Sequence, residues 1–341
     1  FLIGISVSSV LVIQAAQLLG ASTAQISSWF WALGLSIGLS GLILSWKFKY
    51  PVATSWSTAG LALIIATGSG YSLNEAVAAF MICGVITATL GFFGAFERIL
   101  SFIPQSLTSA MLAGVLLKFG IDVFSKLETH WGFIFTLLAT YIVLKKALPR
   151  YCIVITVIIG FVICLLFMQF EIPPLNLSLT QPVWVTPDFS LQSLLGLAIP
   201  LFIINMASQY LPGIAMIKSY GYQPHVRQLV GWTGIAQAFF APFGAFATNI
   251  AAISAAVSLD DQAHPDPQKR YIAGMSCGVF YILMGLFAST LTTLLIAFPS
   301  VFIVALAGIA LFATIGHNIS IAFHQVDERE AALMTFLFSA S

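Results

Sequence analysis

The run from Pro242 to Leu259, PFGAFATNIAAISAAVSL, is apolar enough to lie within a bilayer, yet it opens with Pro and Gly close together and carries Thr248 and Asn249 near its middle. Helix-breaking and polar residues are tolerated at membrane depth only where protein buries them or they line a cavity. A helix that begins partway across the bilayer turns its unpaired N–H groups and the positive end of its dipole inward, which suits an anion. The run from Pro51 to Thr67, PVATSWSTAGLALIIAT, repeats the design: Pro first, then Thr54, Ser55, Trp56, Ser57 and Thr58, then a short apolar stretch. Two interrupted spans in corresponding halves of a chain point to the substrate site of a secondary transporter.

The rest of the chain supplies the membrane context. Of its 341 residues 59% are hydrophobic and 7% charged, too apolar for a soluble domain to bury. About thirteen apolar segments can be read: 1–20, 26–46, 51–68 (broken), 75–95, 99–120, 131–147, 151–170, 190–217, 228–242, 243–259 (broken), 271–294, 298–316 and 331–341. The first and last begin or stop mid-run, which reads as truncation at both ends, and the first lacks the basic stretch of a signal peptide. With a cytoplasmic N-terminus, Lys47, Lys49, Arg98, Lys145, Lys146, Arg150, Lys218, Arg227, Lys269, Arg270 and Arg329 fall inside, and only Lys118 and Lys126 outside. The loop 171–189 has four prolines and no Lys or Arg, so it belongs outside. A net charge of +1 gives no reason to expect nucleic acid. The four cysteines lack metal-ligand spacing and read as buried small hydrophobes.

The chain repeats itself. Met81, Cys83, Gly84, Val85, Gly91 and Phe93 recur as Met275, Cys277, Gly278, Val279, Gly285 and Phe287, each 194 positions on. Leu112-Ala113-Gly114 recurs as Leu306-Ala307-Gly308 at the same displacement, and Pro51 matches Pro242. Seven segments separate each element from its copy, and an odd number inverts the second copy in the membrane. The two half-helices then begin from opposite sides and their N-termini meet near the midplane.

No Asp or Glu lies deep in a span, so a proton relay of carboxylates is not evident. The candidates for binding are uncharged. Asn205 and Gln209, four apart, are expected on one helix face, as are Gln14 and Gln17. Ser57 and Thr58 stand at one break, Thr248 and Asn249 at the other, with Trp56 and Phe246 as aromatic lining beside them. Singly, such amides and hydroxyls are as well explained as glue between helices. Clustered at the breaks, they suit a substrate that brings its own negative charge, and aromatic walls suit an aromatic carboxylate. Trp29, Trp31, Trp46 and Trp184 read as interface anchors. Catalytic signatures such as H-E-x-x-H, a P-loop or G-x-S-x-G are missing, which disfavours an enzyme. Asp260, Asp261, His264 and Asp266 resemble a loose metal cluster, but in a Pro-rich cytoplasmic loop they read rather as solvated turn chemistry; no metal and no cofactor are expected.

The stretches YPVATSWSTAGLALI (50–64), IINMASQYLPGIAMIKSYGY (203–222), TNIAAISAAV (248–257) and GMSCGVFYILMGLFA (274–288) resemble the benzoate–proton symporters of bacterial inner membranes, the BenE type, over nearly the whole chain. The layout is more distantly similar to nucleobase and SulP anion transporters. The resemblance implies an all-α polytopic membrane protein, a seven-plus-seven inverted repeat of fourteen segments with about thirteen present, and short β-like strands before half-helices 3 and 10. It implies a core domain from 1–95 and 190–297, a gate domain from 96–170 and 298–341, and an external loop 171–189. It further implies a carrier of benzoate or a similar aromatic carboxylate, with the proton as coupling ion, working by alternating access of core against gate. In the nucleobase relatives acids stand at positions matching Asn205 and Thr248; their replacement fits an anionic substrate and leaves the proton's carrier unassigned. A carrier or channel for another small anion or a nucleobase remains the alternative, and a homodimer is left open.

Overall fold

The computed structural model describes residues 2–94, 105–149, 151–167, 177–251, 255, 258–261 and 263–340. In chain order the helices are α1 (Leu2–Leu18), α2 (Thr23–Phe48), α3 (Thr58–Thr67), α4 (Leu73–Phe93), α5 (Gln105–Ser125), α6 (Leu127–Ala147), α7 (Cys152–Phe167), α8 (Leu191–Ser219), α9 (Val226–Phe240), α10 (Tyr271–Leu286), α11 (Ala288–Ala297), α12 (Ser300–Ala322) and α13 (Arg329–Ala340). Their starts follow local chemistry. Ser22 with Gln25, and Ser72 with Glu75, form reciprocal capping boxes that satisfy first-turn N–H groups of α2 and α4. Among the described residues five helices are long and apolar enough to cross a membrane: α2, α4, α6, α8 and most of α12. The expected single segment 271–294 is instead two helices, α10 and α11, bent by 71° at Phe287.

The chain divides into two compact units: Gln14–Ile103 with Leu177–Thr292, and Pro104–Asn176 with Thr293–Ser341 and Leu2–Ile13. In the first unit α2 packs along α10 and α4 along α9. Both seams are lined with glycine because the backbones touch. A Cβ on Gly38 would lie 2.6 Å from the Gly278 carbonyl oxygen, and one on Gly34 2.6 Å from Gly285 Cα. In the other seam a Cβ on Gly84 would lie 2.9 Å from the Gly234 carbonyl oxygen, and one on Gly91 2.5 Å from the Gly231 nitrogen. Gly84 and Gly91 are the repeat partners of Gly278 and Gly285, so one seam is the other with its halves exchanged. That exchange is the signature of an inverted repeat.

Two short strands sit in the same unit. β1 (Thr54–Ser55) and β2 (Asn249–Ile250) pair antiparallel, Thr54 opposite Ile250 and Ser55 opposite Asn249. The Ala251 N–H donates to the Ala53 carbonyl at 2.8 Å and extends the ladder. Each strand comes from one broken run, so each satisfies backbone that its own helix cannot. An extended strap precedes α8 and is stitched across this unit: Thr180 N–H to Leu286 O, Val183 N–H to Ser28 Oγ, Val185 N–H to Pro242 O and Asp188 N–H to Asn74 O, all 2.8–3.0 Å.

The second unit has its own core, built by Phe133, Ile134, Leu137, Tyr141, Cys152, Cys164, Phe302 and Ile309 from α6, α7 and α12. Gly160 lies against the Phe302 ring, and Gly308 against the α5 backbone at Phe119.

Candidate functional site

The site grows from the strand pair. Trp56 follows β1 and is buried; Ser57 then caps α3, its Oγ accepting the Gly60 N–H at 2.9 Å. The ten-residue α3 therefore starts inside the protein, with its positive end against the strands. On the other side of the pair stand Phe246, Thr248 and Asn249, all with no exposed surface. Asn205 reaches the same place from α8: a Cβ on Gly60 would lie 3.2 Å from Asn205 Oδ1 and 3.2 Å from Ser57 Cβ. The expected meeting of Trp56, Ser57, Asn205 and Asn249 at two adjoining breaks is thus what the chain forms. The half-helix after β2 lies mostly outside the described residues; Ala255, Ser258 and Leu259 are helical.

The polar atoms here are unevenly satisfied. Thr248 Oγ1 donates to Ser36 Oγ at 2.9 Å, and its carbonyl accepts the Tyr210 hydroxyl at 3.0 Å. Asn205 Nδ2 has a long contact, 4.0 Å, to Cys83 Sγ. Asn205 Oδ1, both amide atoms of Asn249 and Trp56 Nε1 have no hydrogen-bond partner among the described residues. Buried amides without partners are costly, about 1–3 kcal/mol each, and several in one place are unusual. Arg270 is the one charged side chain among the described residues that is buried, and it is occupied elsewhere, donating to the Leu259 and His264 carbonyls at 2.7 Å. Donors that meet at a helix N-terminus with no fixed charge can hold an anion without a counter-ion.

Several expectations need correction. Asn205 and Gln209, expected on one face, differ in burial. Met206–Tyr210 is π-helical, as is Leu194–Ala198, and each wide turn lies just before a proline, Pro212 or Pro200. A proline ring cannot donate and pushes away the carbonyl four residues back, so the turn widens. Asn205 is buried, as is Tyr210 five residues on, while Gln209 is half-buried. Gln14 is half-buried and Gln17 exposed, and no hydrogen bond among the described residues ties Gln14, Gln17 or Gln209 to the cluster. Thr58 is half-buried at the start of α3. Trp29 is no interface anchor: it is 1% exposed and packs on Phe80 and Phe246, with ring centroids 5.6 and 6.2 Å away. Trp31 is half-buried against Phe240 and Phe243, while Trp46 and Trp184 are exposed. The acidic loop shows turn chemistry: Asp266 Oδ1 accepts the Gln268 N–H, and no metal-ligand cluster occurs among the described residues.

The sequence reading passed over Gln237, Ser36, Cys83 and Tyr281. Gln237 is fully buried between α4 and the second break, and Tyr281 stacks edge-on against Trp56 at 5.9 Å. A lone amide in the middle of an apolar segment was the available signal for Gln237.

Comparison with known proteins gives the architecture a class. The chain is similar over 99% of its length to the transmembrane domain of the cyanobacterial bicarbonate transporter BicA, with TM-score 0.68, 13% identity and 94% of that chain covered. It is similar over the same share to SLC26A9, with TM-score 0.63, 14% identity and 61% of that chain covered. Together with the exchanged glycine seams, this defines an all-α, polytopic membrane protein with the seven-plus-seven inverted-repeat transporter fold.

The family within that class follows from sequence. The benzoate membrane transport protein family, BenE, matches residues 1–341, and the chain belongs to it. It is 41% identical over 340 residues to the inner membrane protein YdcO of Escherichia coli, covering 87% of it. It is 36% identical over 339 residues to the benzoate membrane transport protein of Acinetobacter baylyi, covering 86%. The protein is a multi-pass inner-membrane transporter and not an enzyme.

Proposed function

We propose that the protein imports benzoate or a similar aromatic carboxylate by proton symport, with its N-terminus cytoplasmic. The observation that carries this reading is the group of unpartnered buried amides, Asn205 and Asn249, beside the α3 N-terminus. In the proposed pose the carboxylate lies between that helix end and the Asn249 amide, with Asn205 donating and Ser57, Thr58 and Thr248 fixing the two breaks. Trp56 and Phe246 flank the ring; Gln14, Gln17 and Gln209 lie toward the approach. A helix end contributes about 1 kcal/mol, up to about 2 when partly buried. Hydrogen bonds to a charged group add about 1.5–3 kcal/mol each, so the amides carry most of the cost of desolvating the anion. We assign the unit Gln14–Ile103 with Leu177–Thr292 as the moving core and the other as the gate, with transport by alternating access. The name of the bicarbonate transporter BicA keeps a small inorganic anion as the second reading.

The test is uptake of radiolabelled benzoate into proteoliposomes, with and without an imposed pH gradient. Uptake that is driven by an inward proton gradient, and falls about tenfold or more in Asn249→Ala, is expected. Bicarbonate uptake with none of benzoate would replace this reading by the second.

A further inference from the structure

We propose that Gln237 is a positioning residue that clamps the second break in place and thereby sets the affinity of the site; the affinity arm of this inference rests on the reading above. Gln237 lies on α9 with no exposed surface. Its Nε2 donates at 3.1 Å to the carbonyl of Phe80 in α4 and at 3.0 Å to the carbonyl of Phe246, three residues before Asn249. Both amide protons are thus spent on joining a rigid helix to a stretch that has no helix of its own. The side-chain oxygen, by contrast, has no partner among the described residues. An apolar residue of the same length would pack there without burying that oxygen, so the donors are what the position requires.

Phe246 is held on its other side by rings. Trp29, Phe80 and Phe246 contact one another pairwise, with centroids 5.6–6.2 Å apart. Phe80 therefore meets Phe246 twice, through its ring and, by way of Gln237, through its carbonyl. Further along, Thr248 is fixed from other helices by Tyr210 and Ser36, and Asn249 by its pairing with Ser55 of β1. Among the described residues Gln237 is the one side chain that hydrogen-bonds the Phe246 carbonyl, while Ser28 Oγ holds the Phe243 carbonyl at 3.0 Å. Gln237 has no copy in the first half of the chain. The seam contacts relate Gly38 to Gly234 and Gly34 to Gly231, displacements of 196 and 197, and these steps take Gln237 to Gly41 or Ser40, neither of them an amide. There the roles reverse: Gly41 leaves room for Thr54, which reaches from its own strand to the Ile37 carbonyl at 2.7 Å. Among the described residues the two breaks are held by different chemistry, the first by the Thr54 hydroxyl and the second by the Gln237 amide.

The test uses the full-length purified protein and two variants. Gln237→Met removes both donors at similar length; Gln237→Glu is isosteric and keeps one donor when protonated. In the substrate-free protein, hydrogen exchange of the peptide containing 246–250 is expected to quicken about tenfold in Gln237→Met, with peptides from α2 and α10 unchanged. Benzoate KM is expected to rise about tenfold with Vmax per folded protein within about twofold, and Gln237→Glu at acidic pH to fall between. A merely structural residue would lower the melting temperature and leave KM unmoved. Unchanged exchange at 246–250 in Gln237→Met overturns the clamp. Quickened exchange with an unchanged benzoate KM overturns its role in affinity. Quickened exchange in a protein whose wild type takes up no benzoate overturns the substrate reading and leaves the clamp standing.

Discussion

Replacing Asn249 by Leu separates binding from folding. The two side chains share a branched outline, so Asn249→Leu keeps the packing of β2 and removes only the polarity. In the folded protein Asn249 is fully buried and neither of its amide atoms is paired among the described residues. That burial costs about 1–3 kcal/mol, which the substitution relieves, so the substrate-free protein should melt no lower than wild type and up to a few degrees higher. If the amide donates to a carboxylate, its loss removes about 1.5–3 kcal/mol, or roughly 10–150-fold in affinity. Melting temperature in detergent and benzoate binding by scintillation proximity read the two effects apart. A variant that binds benzoate within threefold of wild type, or one that loses affinity only as it loses stability, refutes the reasoning.

Three further outcomes follow from the contacts described. Gly278→Leu puts a side chain where a Cβ alone would sit 2.6 Å from the Gly38 carbonyl oxygen, so little folded protein should survive size-exclusion chromatography, whereas Gly132→Ala, in open space, should be tolerated. Ser57→Ala removes the cap on Gly60 and should cost about 1 kcal/mol, seen as a lower melting temperature, while also weakening uptake through a frayed α3 start. Arg270→Lys cannot reproduce the fork that holds the Leu259 and His264 carbonyls, so the loop around 260–267 should become more sensitive to limited proteolysis.

What the sequence made legible was whatever is written in short patterns. Pro51 and the Ser57 cap announce α3, and the repeated Met-x-Cys-Gly-Val motif announces the inversion that the glycine seams display. Trp56 and Asn249 belong together because an inverted repeat brings its breaks together. What was hidden depends on partners distant in sequence. A tryptophan near the start of a helix suits an interface, and only the arrival of Phe80 and Phe246 makes Trp29 core. The π-turns in α8 could have been suspected from Pro200 and Pro212, but the burial of Tyr210 depends on Thr233 and Thr248, which local spacing does not place beside α8. The bend at Phe287 has no proline to announce it, and Gly285 with Ser289 and Thr290 is the weaker mark it leaves.

The glycine seams also limit how such a protein can move. Where two backbones run within van der Waals reach, sliding one helix by a single residue would drive a side chain into a slot sized for hydrogen. The α2–α10 and α4–α9 pairs therefore behave as welded joints, and any working stroke of that unit must carry each pair as one piece.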